Sequence, residues 1–496
     1  MPEPDENIPT IRRISVSSED SSFKRMRNTS HLELAVAIHF SVMTVFTSWA
    51  FGGQIHWARE VLLVWGTLGL FLCIFSVALL ARRHHSSPLP FFRHLWPLLL
   101  FDLCVGVSCW NPNFRHFLRD GVPYFAIQTP PHLWLPSTAR PDLSLHELYQ
   151  FNAIVVSAFN LFLVLGNRRI LRSVLFVIAT NGVVLAIFGT FQKLVGAKGL
   201  WFGLVKSPNE HFFSTFVYHN HWGAFTLLNM GVCLGLLFHF IRRGGHRDVW
   251  HSPVTVGATA TLFLAASVPL STSRSSTLLI AVFLFVALVH LLVRLIRRRR
   301  DVNESAVLPV VGIILSATIA LAAIMYIGRD VITQRVQLTH QQIEQAKADT
   351  SPNARIQLYR DTWRMAADRP WFGWGLESYA DVFRIYNTAK YPVKGGWRPF
   401  YAQAHSDWLQ SLAETGFVGT ILLVLLGWSP VLSVPWRKME SVLPRYLLAG
   451  CGLILLYAWL EFPFANPSVM IAFWGCLYAG VRYAQLDIRS AEEEKR

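Results

Sequence analysis

The chain has 496 residues, 52% hydrophobic and 15% charged, with a formal net charge of +15 at pH 7. A soluble chain this basic would suggest a nucleic-acid partner, but its apolar residues come in long runs and its basic residues fall between them. That pattern describes a polytopic membrane protein and argues against nucleic acid.

The first 30 residues are polar and Ser-rich and read as a disordered cytoplasmic tail (1–30) before an uncleaved first helix. Twelve candidate spans follow: 31–51, 60–81, 95–111, 147–166, 171–192, 219–241, 252–271, 276–296, 306–327, 406–429, 443–463 and 467–485. Each is near the ~20 residues that cross a bilayer core. With the N-terminus inside, the alternate loops collect the basic clusters, among them Arg82-Arg83, Arg168-Arg169 and Arg297 to Arg300. The positive-inside rule therefore puts both termini in the cytoplasm, with 487–496 as a second tail. The cysteines (Cys73, Cys104, Cys109, Cys233, Cys451, Cys476) all lie in predicted spans, and no disulfide framework or zinc spacing is visible. The fold class is thus an all-α polytopic membrane protein of about twelve transmembrane helices.

Four outside regions break the apolar pattern. Residues 112–146 are rich in proline and aromatics, including Pro130-Pro131-His132-Leu133-Trp134-Leu135-Pro136, which suits an extended loop acting as a lid, a headgroup-level anchor or plain structure. Residues 193–221 end in Tyr218-His219-Asn220-His221 at the start of the sixth span. His219, Asn220 and His221 are candidate substrate contacts there, because the unpaired N–H groups of a helix start favour an anion; a polar interface belt is the alternative. Arg274 lies in the short turn Ser271-Thr272-Ser273-Arg274-Ser275-Ser276, whose five hydroxyls can complete an anion site, with a snorkelling anchor as the alternative.

The fourth region, 328–404, lies between spans nine and ten as a large, partly helical loop. Gln334 to Lys347 is helix-compatible, and Ser351-Pro352 reads as the cap and first residue of a helix that ends before Pro370. Ile356, Tyr359, Trp363 and Ala366 are expected to form its packed face. Arg355 borders that face without a carboxylate at i±3 or i±4, so it is expected to be open to an anion. Arg360 and Arg364 have Asp361 and Asp368 within reach and suit a solvated ion-pair face as well as a binding one. Beyond Pro370, Trp371-Phe372-Gly373-Trp374-Gly375 reads as a Gly-aromatic turn: Gly373 and Gly375 permit close backbone approach, and Trp374 could stack on a sugar ring.

His405-Ser406, nine residues, then Gly416-x-x-Gly419-Thr420 and an apolar run follow at once. At 100° per residue, His405, Leu409, Leu412, Gly416, Gly419 and Leu423 share one helical face, so Gly416 and Gly419 would let a neighbouring helix fix the rotation of the rod that carries the imidazole.

This spacing resembles the signature of the O-antigen ligase family, His-[Asn/Ser/Gln]-x9-Gly-x-x-Gly-Thr followed by leucines. Pro370-x-x-Gly373-x-Gly375 and the Ser-x-Ser-Arg turn at Arg274 resemble further family elements, over roughly 210 to 430. The implied organisation is N-terminal helices in 31–210, a catalytic region in 211–430 and C-terminal helices in 431–486. The resemblance implies transfer of a glycan from undecaprenyl diphosphate onto a lipid or glycan hydroxyl on the periplasmic side of the bacterial inner membrane, with inversion, no cofactor and no metal. His405 would be the general base, while Arg274 and Arg355 would bind the diphosphate. No Asp-x-Asp pair in an outside loop suggests a metal site. A polysaccharide polymerase of the same family is the nearest alternative. A transporter is the alternative from another class, although intramembrane charges are few, with Asp102 and Glu461 near outside ends.

Overall fold

The computed structural model describes residues 31–84, 92–120, 122–243, 252–327, 354–389 and 400–494. Every expected span coincides with a helix: α1 (His31–Trp49), α2 (His56–His84), α3 (Trp96–Trp110), α4 (Pro141–Val164), α5 (Arg168–Leu194), α6 (His219–Arg243), α7 (Pro253–Ser271), α8 (Arg274–Asp301) and α9 (Val307–Ile327), then α12 (Asp407–Leu432), α13 (Leu443–Tyr457) and α14 (Pro467–Glu493). Among the described residues, two extramembrane helices, α10 (Ala354–Asp368) and α11 (Tyr379–Tyr386), come between α9 and α12. Among the described residues, eight helices are long and apolar enough to cross a membrane, with α3, α13 and part of α9 as shorter apolar helices. The protein is an all-α multi-pass membrane protein.

The centre of the bundle is α6, which packs against α7, α13 and α14. Lipid tails are as apolar as leucine, so intramembrane helices associate through close packing rather than through water exclusion. The α6–α13 crossing shows this directly. A Cβ on Gly231 would lie 2.8 Å from the Tyr446 carbonyl oxygen, so only glycine lets the two backbones approach there. Gly223, near the start of α6, meets Ser276 and Ser273 at the start of α8 in the same way. These approaches fix where the α6 and α8 N-termini stand relative to the segment that follows α13.

Three expectations need correction. The 112–146 region contains an antiparallel hairpin, β1 (Phe114–Arg119) and β2 (Val122–Ile127), paired from Phe114↔Ile127 to Arg119↔Val122. Asp120 at φ 54° supplies the left-handed residue that a tight hairpin turn needs. The helix of the eleventh span stops at Tyr457, leaving Glu461 in a connector rather than in a span. The 487–496 tail is helical through Glu493, with Arg489 bonded to Glu493 and Lys438 to Glu492. The expected tail at 1–30, the helix-compatible stretch 334–347 and the Ser351-Pro352 cap lie outside the described residues.

Candidate functional site

The stretch from His405 to Gly419 is not the continuous rod that its spacing suggests. Ser406 is the N-cap of α12, accepting from the Leu409 amide, so His405 precedes the helix, at φ 53°. The helix is then broken at Gly416, whose φ of 64° and ψ of −169° are essentially reserved to glycine. Rotation of a rod therefore does not aim the imidazole, and Gly416 packs on a strap of chain rather than on a neighbouring membrane helix.

A break in a helix strands carbonyls on one side and amides on the other, which must find other partners. Here they find them on the segment that follows α10. Trp374 N donates to Ala413 O (2.9 Å) and Gly375 N to Glu414 O (2.8 Å), while Phe417 N donates to Pro370 O (2.7 Å) and Val418 N to Trp371 O (3.1 Å). The approach is so close that a Cβ on Gly416 would lie 2.4 Å from the Trp371 carbonyl, and one on Gly373 2.4 Å from the Glu414 carbonyl. Gly375, at φ 106°, is pressed against Thr138, and Gly419 faces Phe101 of α3. The Pro370-x-x-Gly373-x-Gly375 and Gly416 elements are thus two halves of one joint, which anchors the extramembrane segment to α12.

That joint, and a second clamp from the α13–α14 connector, set the surroundings of His405. Asp407 N donates to Ala458 O (2.9 Å), and Asp407 Oδ2 accepts from Phe464 N (2.9 Å), which folds the connector over the start of α12. On the other side, Tyr359 of α10 donates its hydroxyl to His405 O (2.9 Å), and the Gln410 side chain accepts from Ala404 N (3.0 Å). His405 is held in a sparsely populated backbone conformation by neighbours on both flanks, which is where strain concentrates at working sites.

The connector brings Glu461 beneath His405. Its side chain is only 5% exposed, while those of His405 and Arg355 above it are 31% and 43% exposed. Arg355 Nη2 lies 2.9 Å from Glu461 Oε1, His405 Nδ1 3.8 Å from Oε2, and the Tyr218 hydroxyl 3.4 Å from Oε2. At 3.8 Å the imidazole contact is an ion-pair distance and not a formed hydrogen bond. Burial pushes the Glu461 pKa up, but contact with His405 and the Arg355 charge outweigh it, and the net direction is down. Burial likewise works against the Arg355 charge, and the carboxylate more than offsets this and raises its pKa. The Phe462 ring lies edge-on to His405 (4.8 Å between centroids) and stacks on Tyr218 (5.3 Å).

Several residues read from the sequence take other places. Arg355 is not unpaired; Glu461, more than a hundred residues away in sequence, is its partner. The packed face of α10 is Leu358, Asp361, Thr362, Met365 and Ala366, so of the expected face Ala366 is buried, while Ile356 and Trp363 are each 54% exposed. Trp374 is buried, donates its indole N–H to Met365 O (2.8 Å) and lies under Arg369, so it is not a platform for a sugar. Arg364 is exposed, 3.5 Å from Asp361, and Arg360 is exposed on the same helix. His221 is buried against Phe462, and Asn220 is buried with its amide bonded inside the protein, so neither faces a substrate. His219 is half-buried against His211 and Tyr218. Arg274 is exposed as the first residue of α8. Glu461 is the residue that sequence reasoning passed over. Its signal was a carboxylate at the end of an apolar run, which needs a partner.

An arginine and a histidine are thus gathered on one buried carboxylate in a multi-pass membrane protein. Residues 259–424, about a third of the chain, match the O-antigen ligase family, Wzy_C, and this match supports a membrane enzyme of the O-antigen ligase or polymerase type. The match holds Arg274, Arg355 and His405 but ends before Glu461 and begins after Tyr218. No curated protein matches the chain.

Proposed function

We propose that the protein transfers a glycan from undecaprenyl diphosphate to an acceptor hydroxyl at the periplasmic face of the bacterial inner membrane, inverting the anomeric centre and using no metal. The observation that carries this reading is the placement of Arg355 and His405 on the two oxygens of Glu461. A carboxylate facing Nδ1 favours the tautomer with its proton there, which leaves the Nε2 lone pair for the acceptor hydroxyl. The acceptor oxygen forms a bond to the anomeric carbon as the bond from that carbon to the diphosphate oxygen breaks on the opposite side. The hydroxyl proton passes to Nε2, and Glu461 stabilises the imidazolium that results. Arg355 and Arg274 meet the charge that builds on the departing diphosphate.

The sidedness rests on α8, which carries Arg274 at its first residue and Arg298 to Arg300 in its last turn. At ~1.5 Å per residue the two ends of a 28-residue helix stand about 40 Å apart, a full membrane thickness. If the arginine cluster is cytoplasmic, Arg274 is periplasmic. A polymerase would use the same chemistry with a second lipid-linked glycan as acceptor.

The test is transfer of a fluorescent oligosaccharide from synthetic undecaprenyl diphosphate onto an extracted acceptor-lipid fraction, by the full chain in proteoliposomes. The wild type is expected to transfer, and His405→Ala to bind the donor without transferring it. Wild-type turnover by His405→Ala or by Arg355→Ala would overturn the proposal.

A further inference from the structure

Asn220 and Tyr218 lie beneath the site surface, and both are engaged in bonds that run in one direction. The Ser273 hydroxyl donates to Asn220 Oδ1 (2.7 Å), so the amide turns its Nδ2 to the Tyr218 hydroxyl (2.7 Å). A phenol that accepts there keeps its single proton for another acceptor, which is Glu461 Oε2 at 3.4 Å. The line begins at the residue before Arg274 and ends on the carboxylate that holds Arg355 and His405. Ser273 is fully buried and Asn220 is 8% exposed, so a missing member would leave an unsatisfied buried polar group. Tyr457, the last residue of α13, adds a cross-brace by donating to Asn220 O (3.3 Å). Gly223 completes the arrangement, since its lack of a side chain lets the start of α8 sit against the start of α6.

We propose that Tyr218 and Asn220 are positioning residues that hold the Arg274 turn and the Glu461 carboxylate in one register. The inference rests on the reading that Arg274, Arg355 and His405 serve one transfer reaction. It assigns to a buried hydrogen-bonded line the task of setting the spacing between two cationic elements that come from distant parts of the chain. Spacing of this kind matters because an error of about 1 Å in a reacting geometry can lower turnover by about a hundredfold.

The test is a double-mutant cycle on the full chain in proteoliposomes, with the fluorescent undecaprenyl-diphosphate oligosaccharide as donor. Tyr218→Phe removes only the hydroxyl and keeps the ring stacked on Phe462. Asn220→Ala removes the link to Ser273, and Ser273→Ala replaces it in the cycle if the Asn220 variant fails to fold. Each single change is expected to lower kcat by about tenfold, and the pair to be no worse than the poorer single, because both break the same line. A pair whose loss is the product of the two singles, or a Tyr218→Phe protein with wild-type kcat, overturns the inference. His405→Ala is measured alongside. Retained transfer in that variant sinks the functional reading itself, whereas loss of transfer together with a multiplicative cycle sinks only the role of Tyr218 and Asn220.

Discussion

Gly416 rests against the carbonyl of Trp371 so closely that a methyl group on it would lie 2.4 Å from that atom. This contact joins a broken membrane helix to the extramembrane strap that carries α10, and through α10 it sets where Arg355 and Tyr359 stand. Gly416→Ala is therefore expected to act in two ways, through backbone strain of about 1–3 kcal/mol and through displacement of the strap. The unfolding midpoint should fall and transfer should fall with it. An unchanged midpoint would mean that the joint tolerates a side chain, contrary to the geometry.

Trp374 gives the opposite kind of prediction. It fills the small core between α10, α11 and the strap, so Trp374→Ala should lower stability by about 3–5 kcal/mol, as large-to-small changes in a core do. Thermal unfolding checks this, and the donor KM of the folded fraction should stay near wild type. A raised KM with intact stability would restore the reading of Trp374 as a sugar platform.

The Arg355–Glu461 pair has a definite pH signature. Because the folded-state pKa of Glu461 is lowered, its contribution is fully present above the unfolded carboxylate range, near pH 4.3, and is lost as pH falls through the folded value. Unfolding midpoints of the wild type and Glu461→Gln should run parallel from pH 8 to about 6 and converge only in acid. Convergence already near neutrality would contradict the pairing.

Arg274 and Arg355 are proposed to meet a diphosphate through planar, forked donors, which lysine does not reproduce. Arg274→Lys and Arg355→Lys should each remain folded and lose most of their transfer. EDTA should leave the wild-type rate unchanged. Inhibition by EDTA, reversed by an added divalent cation, would move the charge-stabilising role away from the arginines.

The spans were legible because a run of about twenty apolar residues has few other uses, and the basic clusters between them supply a second, independent reading. The His405 and Gly416 motif was legible as a pattern but not as a structure. Helical spacing assumes an unbroken helix, and the φ of one glycine is invisible in a helical wheel. The strap and the break could have been paired only by noticing that both are glycine-rich and that a broken helix needs partners. Glu461 was hidden for a different reason. Local rules search for carboxylates three or four residues from Arg355, while the actual partner arrives from a connector brought over by the Asp407–Phe464 and Asp407–Ala458 bonds. His221 and Asn220 were misassigned because a polar run at a helix start reads alike whether it faces a ligand or packs inward.

The central claim is that Glu461 holds Arg355 and His405 as one working unit, and the most direct measurement is turnover of Glu461→Gln at saturating donor in proteoliposomes. The substitution keeps the shape and removes the charge that orients the imidazole and stabilises its protonated form. A fall in kcat of about tenfold or more at nearly unchanged donor KM is expected, the pattern of an interaction made mainly in the transition state. A folded Glu461→Gln protein that turns over at the wild-type rate would contradict it.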